Sequence, residues 1–317
     1  MVSLGCRKTA LSGDVRKVTE LLLFPGRQFG ADKNMTSTRI FCLTLMAMTA
    51  FAGNSLLCRL ALKHTAIDAA TFTLVRIVSG AVALRLIVSL RSESLRKAGS
   101  WFSAAMLFAY AAAFSFAYLS LPAGTGALLL FGAVQATMIF WALRTGERLA
   151  WRQRLGLAFA LAGLVALVFP GLSAPPLGGS VLMLAAGVAW GIYSLRGKNA
   201  GEPVRATAGN FARAVPLAVI LSLAALPWIR FDRAGIVYAV LSGAIASGAG
   251  YAIWYTALPG LKGASAASVQ LMVPVLAAAG GILFLGEAIS LRLVLASVAV
   301  LGGIGLVVWN RRPKSNA

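Results

Sequence analysis

Two stretches of the sequence resemble each other at a distance of 140 residues: RTGERLAWRQRLGLAFALAGLVAL at 144–167 and FLGEAISLRLVLASVAVLGGIGLV at 284–307. Each contains a Gly-Glu pair, then a short segment with arginine, and then an apolar run rich in glycine. Similarity at a fixed offset indicates an internal repeat. We therefore predict two related halves, 37–171 and 176–312.

The composition of the chain is that of a protein that does not fold in water. Of the 317 residues, 59 % are hydrophobic and 12 % are charged, and the mean hydropathy is +0.82. A water-soluble globular protein has about 45–50 % apolar and about 25 % charged residues, and a disordered chain has fewer apolar ones. Both classes are excluded, and the chain is predicted to be an integral membrane protein.

Ten apolar runs are long enough to cross a bilayer as helices. Each has about 20 residues, the length that spans about 30 Å of hydrocarbon, and the alternating pattern of a membrane barrel is missing from the sequence. The predicted fold class is all-α integral membrane, with ten transmembrane helices over 40–60, 69–90, 101–121, 124–143, 152–170, 178–196, 207–228, 234–256, 264–285 and 289–309.

Each predicted half contains five of these spans. Because five is odd, the second half enters the membrane from the side opposite to the first, so the halves are inverted repeats. Inverted repeats occur in secondary transporters, where the two halves rock around a site at the midplane of the membrane. A duplicated scaffold without a transport role stays open as the alternative.

The distribution of charge orients the chain. The formal net charge is +20, and with a cytoplasmic N-terminus most Lys and Arg residues fall in cytoplasmic segments, as the positive-inside rule requires. Both termini are therefore predicted in the cytoplasm at a bacterial inner membrane, and the charge indicates topology rather than a nucleic-acid partner. Residues 1–36 are polar and mixed in charge, and they are predicted to be a disordered leader. A start-site artefact, with Met35 as the true start, is the alternative.

The sequence resembles the EamA-type members of the drug/metabolite transporter superfamily. The two Gly-Glu stretches carry the resemblance, together with AFAGNSLLCRLAL at 50–62, similar to the first helix of the family, and FTLVRIVSGAVAL at 72–84, similar to the second. The first helix departs from the family's frequent Trp-Gly pair, whereas Trp190-Gly191 in the second half keeps it. The resemblance implies a central cavity surrounded by helices 1, 3, 4, 6, 8 and 9, with the fifth and tenth helices outside.

Uncharged polar and aromatic residues in the spans are the candidates for lining this cavity. Amide side chains in hydrocarbon need a partner and are expected to face the interior of the bundle. Interhelical hydrogen bonds and an interfacial aromatic belt remain the alternatives for each residue. The candidates for binding a substrate are Asn54, Ser55, Tyr110, Gln135, Trp190, Tyr193, Asn210, Tyr251, Trp254, Tyr255 and Gln270.

Charged residues and prolines within or at the ends of spans form a second group of candidates. Arg76 and Arg213 occupy corresponding positions in the two halves; each is either a cavity-facing cation that attracts an anionic or zwitterionic substrate, or a structural residue bonded to carbonyls. Glu147 and Glu287 end the fourth and ninth helices beside an arginine, so they act in gating or as helix-end caps with a local ion pair. Hinges are predicted at Pro216 and Pro274, where a span loses a backbone hydrogen bond.

The sequence contains none of the common motifs of an enzyme. It lacks a phosphate-binding Gly-Lys loop, G-x-S-x-G, H-E-x-x-H and C-x-x-C, and with three cysteines and one histidine no metal or other cofactor is expected. No Asp or Glu lies deep in a predicted span, which disfavours a proton relay through a buried carboxylate. A membrane-embedded enzyme is therefore a weaker alternative than a transporter.

These observations predict a secondary transporter that moves a small organic metabolite by alternating access. The favoured substrate is an amino acid or a similar amphipathic solute, moved outward; a nucleotide-sugar or lipid-linked-sugar carrier of the same fold is the alternative. The expected partners are the substrate and the lipid bilayer. Ala299 and Gly303 form a small-residue face on the tenth helix, for which packing within the chain is favoured and contact with a second copy is the alternative. The chain is predicted to be a monomer or a homodimer.

Overall fold

The computed structural model describes residues 36–90, 98–146, 149–171, 174–197, 202–261 and 263–309, without the side chains of 263–265, 267 and 309. All regular elements within these ranges are helices. The leader predicted at 1–36 lies outside the described residues, except for Thr36, whose hydroxyl accepts a hydrogen bond from the amide of Arg39 at the start of the first helix.

Ten helical spans follow one another in the ranges that the structure describes, and they confirm the predicted all-α membrane fold class. In the described part of the chain, nine are long and apolar enough to cross a membrane, and the third is a shorter apolar helix. The spans are α1 (Ser37–His64), α2 (Ala69–Leu90), α3 (Trp101–Ala117), α4 (Ala123–Arg144), α5 (Trp151–Val168), α6 (Leu177–Gly197), α7 (Pro203–Ala224), α8 (Arg233–Gly260), α9 (Gly263–Gln270 and Met272–Leu285) and α10 (Leu291–Trp309).

The third span is shorter than the sequence predicted. It was expected over 101–121, but α3 ends at Ala117. Pro122 disfavours the helical conformation of the residue before it, and Tyr118 begins a turn that leads into α4. The shortening matters for the site because the carbonyls of this turn become available to side chains from other helices.

The helix contacts follow the same pattern in the two predicted halves. The first helix packs against α8 and α9, and its counterpart α6 packs against α3 and α4. Likewise α2 contacts α7 and α8, whereas α7 contacts α2 and α3, and α4 packs on α9. Exchanging each helix with the one five places along the chain reproduces the pattern, as expected for two repeats that are related by a two-fold axis.

The fifth and tenth helices pack mainly on each other. Their backbones meet at Gly156 and Gly303, where a Cβ on either glycine would collide with the carbonyl oxygen of the other. Ala299 of α10 also packs closely against Gly163 of α5. The small-residue face of α10 is thus covered by α5 of the same chain, and it is not free to form a dimer contact.

Two spans depart from regular α-helix in the second half. The middle of α8, Leu241–Ala249, is a π-helix between the α-helical segments Arg233–Val240 and Gly250–Ala257. The ninth span is interrupted at Leu271, three residues before Pro274, which has no amide hydrogen for the carbonyl of Gln270. Pro216, by contrast, lies within a continuous α7. Hinge motion at either proline stays a prediction.

Candidate functional site

A cavity of about 440 Å³ is lined by residues from both predicted halves of the chain. Its described lining comes mainly from α1, α3, α4, α6, α8, α9 and α10, and it extends from the middle of the bundle to the end where α4 ends and α7 begins. This lining contains no charged side chain. It includes nine of the predicted substrate-binding residues: Asn54, Ser55, Tyr110, Gln135, Trp190, Tyr251, Trp254, Tyr255 and Gln270.

Aromatic rings form one wall of this cavity, with Trp190 at the centre. The Trp190 ring stacks on Tyr251 at 5.2 Å between centroids and 23° between planes, and on Tyr193 at 5.2 Å and 27°. Tyr110 lies 4.8 Å from Trp190, and Phe51 lies 5.6 Å from Tyr251. These rings come from α1, α3, α6 and α8, and they offer broad apolar faces to a bound solute.

A chain of hydrogen bonds runs behind this wall from α2 to α8. Arg76 Nη2 donates to the Tyr110 hydroxyl at 2.9 Å, and Asn54 Nδ2 donates to the same oxygen at 3.2 Å. Ser242, in the π-helical segment, donates its hydroxyl hydrogen to Asn54 Oδ1 at 2.6 Å. The sequence did not single out Ser242, because serine is common in membrane helices and only the fold brings it to Asn54.

Arg76 is a buried cation in this network. The residue is 2 % exposed, and its guanidinium carbon lies 4.8 Å from the ring centroid of Phe114 and 5.2 Å from that of Tyr110. Its Nη1 atom has no hydrogen-bond partner among the described residues. The only ion pair in the described ranges is elsewhere, so no described carboxylate balances the charge of Arg76.

Arg213 occupies the corresponding position in the second half but has a different environment. Its Nη1 atom donates to the carbonyl oxygens of Ala98 and Gly209. These bonds attach α7 to the segment before α3. Neither Arg213 nor Arg76 is among the described residues that line the central cavity. The two arginines are related by sequence, yet only Arg76 lies directly behind the wall of the central cavity.

Tyr193 and Asn210 face a second cavity, of about 640 Å³, near the same end of the bundle. Asn210 Oδ1 accepts from the amide of Ser100 at 2.9 Å, and its Nδ2 donates to the Tyr193 hydroxyl at 3.4 Å. The exposed Arg196, which lines this cavity, has its guanidinium 4.7 Å from the ring of Phe102. Trp141 and Tyr255 are among the residues that line both cavities, so the two cavities are adjacent.

The other end of the bundle is held by an ion pair. Arg59 Nε lies 3.2 Å from Glu287 Oε1, with the two side chains 11 % and 10 % exposed. Arg59 Nη1 also donates to the carbonyls of Tyr118 and Leu119, at 2.8 and 3.1 Å. Glu287 Oε2 accepts from the amide of Ala123 at 2.8 Å. Arg59, the turn between α3 and α4, and the end of α9 are thereby joined.

The partner of Glu287 is not the arginine that the sequence suggested. A local pair with Arg292 was expected, but Arg292 Nη1 donates to the carbonyl of Phe169 at 2.7 Å. Arg59 was not a candidate, although it lies one helical turn beyond Ser55 on the same helix. Glu147, the counterpart of Glu287 in the first half, lies outside the described residues. No group of three or more His, Cys, Asp or Glu suited to a metal ion occurs in the part that the structure describes.

Comparison with known proteins gives the family. The sequence profile of the EamA-like transporter family matches residues 177–309, which lie within the predicted second half. An uncharacterized protein of Pseudomonas aeruginosa is 56 % identical over 87 % of this chain and 97 % of its own length. A protein of Escherichia coli strain K12 named probable amino-acid metabolite efflux pump is 25 % identical over 61 % of this chain and 69 % of its own.

One solved crystal structure has the same fold as this chain. It superposes with a TM-score of 0.63 and 19 % sequence identity, covering 87 % of this chain and 100 % of its own. At this identity the likeness is evidence for the fold alone. The matched family profile and the relatives named as efflux pumps indicate a transporter rather than an enzyme, and the chain belongs to the EamA-like transporter family.

Proposed function

We propose that this protein exports a small amphipathic metabolite, an amino acid or a close derivative, across a bacterial inner membrane by alternating access. The observation that carries the proposal is the cavity of about 440 Å³, lined by stacked aromatic rings and by the amides of Asn54, Gln135 and Gln270. Cavities of this size with few polar groups are typical of small-molecule sites.

The chemistry of the cavity favours such a solute over a nucleotide sugar. Diphosphate groups are recognised by several Arg or Lys side chains, whereas the described lining of the central cavity carries no charged side chain. Arg213 is engaged with backbone carbonyls. The name of the Escherichia coli relative, an amino-acid metabolite efflux pump, agrees with the preference for a small solute.

Alternating access uses the two predicted halves, 37–171 and 176–312, as the moving bodies. In the present conformation the cavity reaches one end of the bundle, while the Arg59–Glu287 pair joins the halves at the other. Rocking of the halves would break this pair and close the cavity mouth, as in other transporters with inverted repeats. With both termini in the cytoplasm, the present mouth faces the cytoplasm, which is the loading side for export.

Counterflow in proteoliposomes tests the proposal. Purified protein is reconstituted and preloaded with each unlabelled amino acid in turn, and the uptake of the labelled compound is followed, with nucleotide sugars as a second panel. We expect counterflow of at least one amino acid, its loss in Trp190→Leu, and its retention in Trp101→Leu, a control at an exposed position (62 %) outside both described cavity linings. Folded protein without amino-acid counterflow would refute the proposal, and uptake of nucleotide sugars alone would favour the alternative carrier.

A further inference from the structure

The hydroxyl of Tyr110 is held in a fixed orientation at the wall of the central cavity. Its oxygen accepts hydrogen bonds from Arg76 Nη2 at 2.9 Å and from Asn54 Nδ2 at 3.2 Å. The orientation of the Asn54 amide is fixed in turn, because Ser242 donates to its oxygen. An arginine has only donors, so neither Arg76 nor the Nδ2 of Asn54 can accept the phenolic hydrogen.

The hydrogen of this phenol is therefore available for a ligand. A phenol has one hydrogen to donate, and no described residue accepts it, while both neighbours of the oxygen use its acceptor capacity. Tyr110 lines the cavity and is 5 % exposed. A buried donor without an acceptor is unfavourable, and an acceptor atom of a bound solute would satisfy it.

The charge of Arg76 determines which acceptor suits this donor. The guanidinium is buried without a described carboxylate partner, and Tyr110 and Phe114, which both line the cavity, separate it from the solute. A hydrogen bond to the phenol oxygen from a cation makes the phenol a stronger donor. In a medium of low dielectric constant, the unbalanced positive charge also favours a negative group nearby and disfavours a positive one.

We propose that the Tyr110 hydroxyl donates a hydrogen bond to the carboxylate of the transported solute, with Arg76 as a positioning residue that acts through this phenol. The inference rests on the proposed function and narrows the substrate to carboxylates. The remaining polar groups of the lining, such as Ser55, Gln135 and Gln270, are neutral. None of these three groups is a phenol held by a buried cation, so we assign the main preference for a carboxylate to Tyr110.

Matched acids and amides test the inference directly. Leucine, methionine and phenylalanine, and the α-carboxamide of each, are titrated against purified protein, and the shift in melting temperature gives an apparent Kd. For the wild type we expect the amides to bind about tenfold or more weakly than the acids. Tyr110→Phe should weaken the acids to the level of the amides, whereas Tyr238→Phe, which lies on α8 outside both described linings, should keep the preference.

The outcomes separate this inference from the proposed function. Equal binding of acids and amides by the wild type overturns the carboxylate preference but leaves a solute carrier in place. A preference that survives in Tyr110→Phe shows that another group is the donor and also overturns the inference. Binding by neither series, together with no counterflow, refutes both proposals.

A measurement on the wild type alone covers the case in which Tyr110→Phe does not fold. Difference infrared spectra with a ¹³C-carboxylate amino acid report the hydrogen bonding of the bound carboxylate. A carboxylate stretch shifted from its position in water supports the inference, and an unshifted stretch contradicts it.

Discussion

The guanidinium of Arg59 and the carboxylate of Glu287 lie 3.2 Å apart, and each side chain is about nine-tenths buried. The two residues belong to different halves of the chain. Their pair is at the end of the bundle away from the cavity mouth, where Arg59 also holds the turn after α3 through the carbonyl of Tyr118. One ion pair thus ties together the parts of the two halves that must separate if the cavity is to open on that side.

Glu287→Gln should loosen this end of the bundle. The substitution removes the charge that attracts Arg59 while keeping the shape of the side chain. Loss of a charged hydrogen bond of about 1.5–3 kcal/mol corresponds to a shift of about tenfold or more between closed and open states. The native Cys58, which is 0 % exposed, reports opening through its reaction with a water-soluble maleimide, after Cys6 and Cys42 have been replaced by serine.

The matched control for this experiment is Glu202→Gln, which removes an exposed carboxylate at the start of α7. We expect faster labelling of Cys58 in Glu287→Gln and an unchanged rate in Glu202→Gln. Equal, slow labelling in both variants would mean that the ion pair does not control access at this end.

Arg76→Met should impair transport without lowering stability. The substitution removes a buried charge that has no described counter-ion, and the desolvation of such a charge costs several kcal/mol. The lost hydrogen bond to Tyr110 is worth about 1–3 kcal/mol, so the melting temperature should stay equal or rise. Amino-acid counterflow should fall about tenfold or more, because the Tyr110 phenol loses the charged donor that strengthens it.

Arg85→Met is the matched control, because Arg85 lies on the same helix and is exposed. It should leave counterflow unchanged. Unfolding of Arg76→Met in detergent would indicate that the guanidinium is needed for the fold itself, contrary to this prediction.

The pattern of spans was predictable from sequence because length and hydropathy alone determine which segments cross a bilayer. The pairing of polar groups was not. Arg76 and Arg213 occupy equivalent positions, yet Arg213 reaches the Ala98 carbonyl, whereas Arg76 reaches a phenol that has no counterpart in the second half at that position. The difference arises from which residues the neighbouring helices present, and a repeat pattern does not carry that information.

Long-range contacts explain the other differences between the predicted and the observed side-chain partners. Proximity in the sequence predicts a pair between Glu287 and Arg292. In the structure the partner of Glu287 is Arg59, which is 228 residues away. Ser242 enters the polar network because the π-helical segment of α8 packs on α1 and α2. Periodicity in the sequence identifies helices, but it does not identify a local change from α- to π-helix, which turns the side chains that follow toward a different neighbour.

Gly243→Ala should destabilise the contact between α8 and α2. A Cβ at this position would collide with the carbonyl oxygen of Arg76, which is backbone and cannot move aside cheaply. Overpacking of this kind costs about 1–3 kcal/mol. In Gly53→Ala, the control, the new Cβ meets nothing within 4 Å, so this helical position should gain about 0.5–1 kcal/mol. Thermal unfolding in detergent measures both; equal effects of the two variants would contradict the close approach of α8 to α2.

Asp68, in the loop between α1 and α2, should make stability depend on pH. Burial raises the pKa of its carboxyl, but hydrogen bonds from Thr71 and from the amides of Arg230 and Ala70 outweigh burial, so the pKa lies below its ordinary value. The bonds therefore stabilise the fold at pH values above the ordinary pKa of about 3.9. This stabilisation is lost as the pH falls through the lowered pKa of the folded protein.

Asp68→Asn tests this dependence. The side chain is only partly buried, so solvent screening keeps its contribution near the low end of a helix cap, about 0.5–1 kcal/mol. At neutral pH the variant should melt at a lower temperature than the wild type, because the amide side chain carries no charge to strengthen the bonds from the backbone. The gap between the two melting temperatures should narrow as the pH is lowered below about 4, where the carboxyl becomes protonated first in the unfolded chain and then, at lower pH, in the folded protein. A gap that stays constant from pH 7 to pH 3 would show that the charge of Asp68 does not stabilise this end of the bundle.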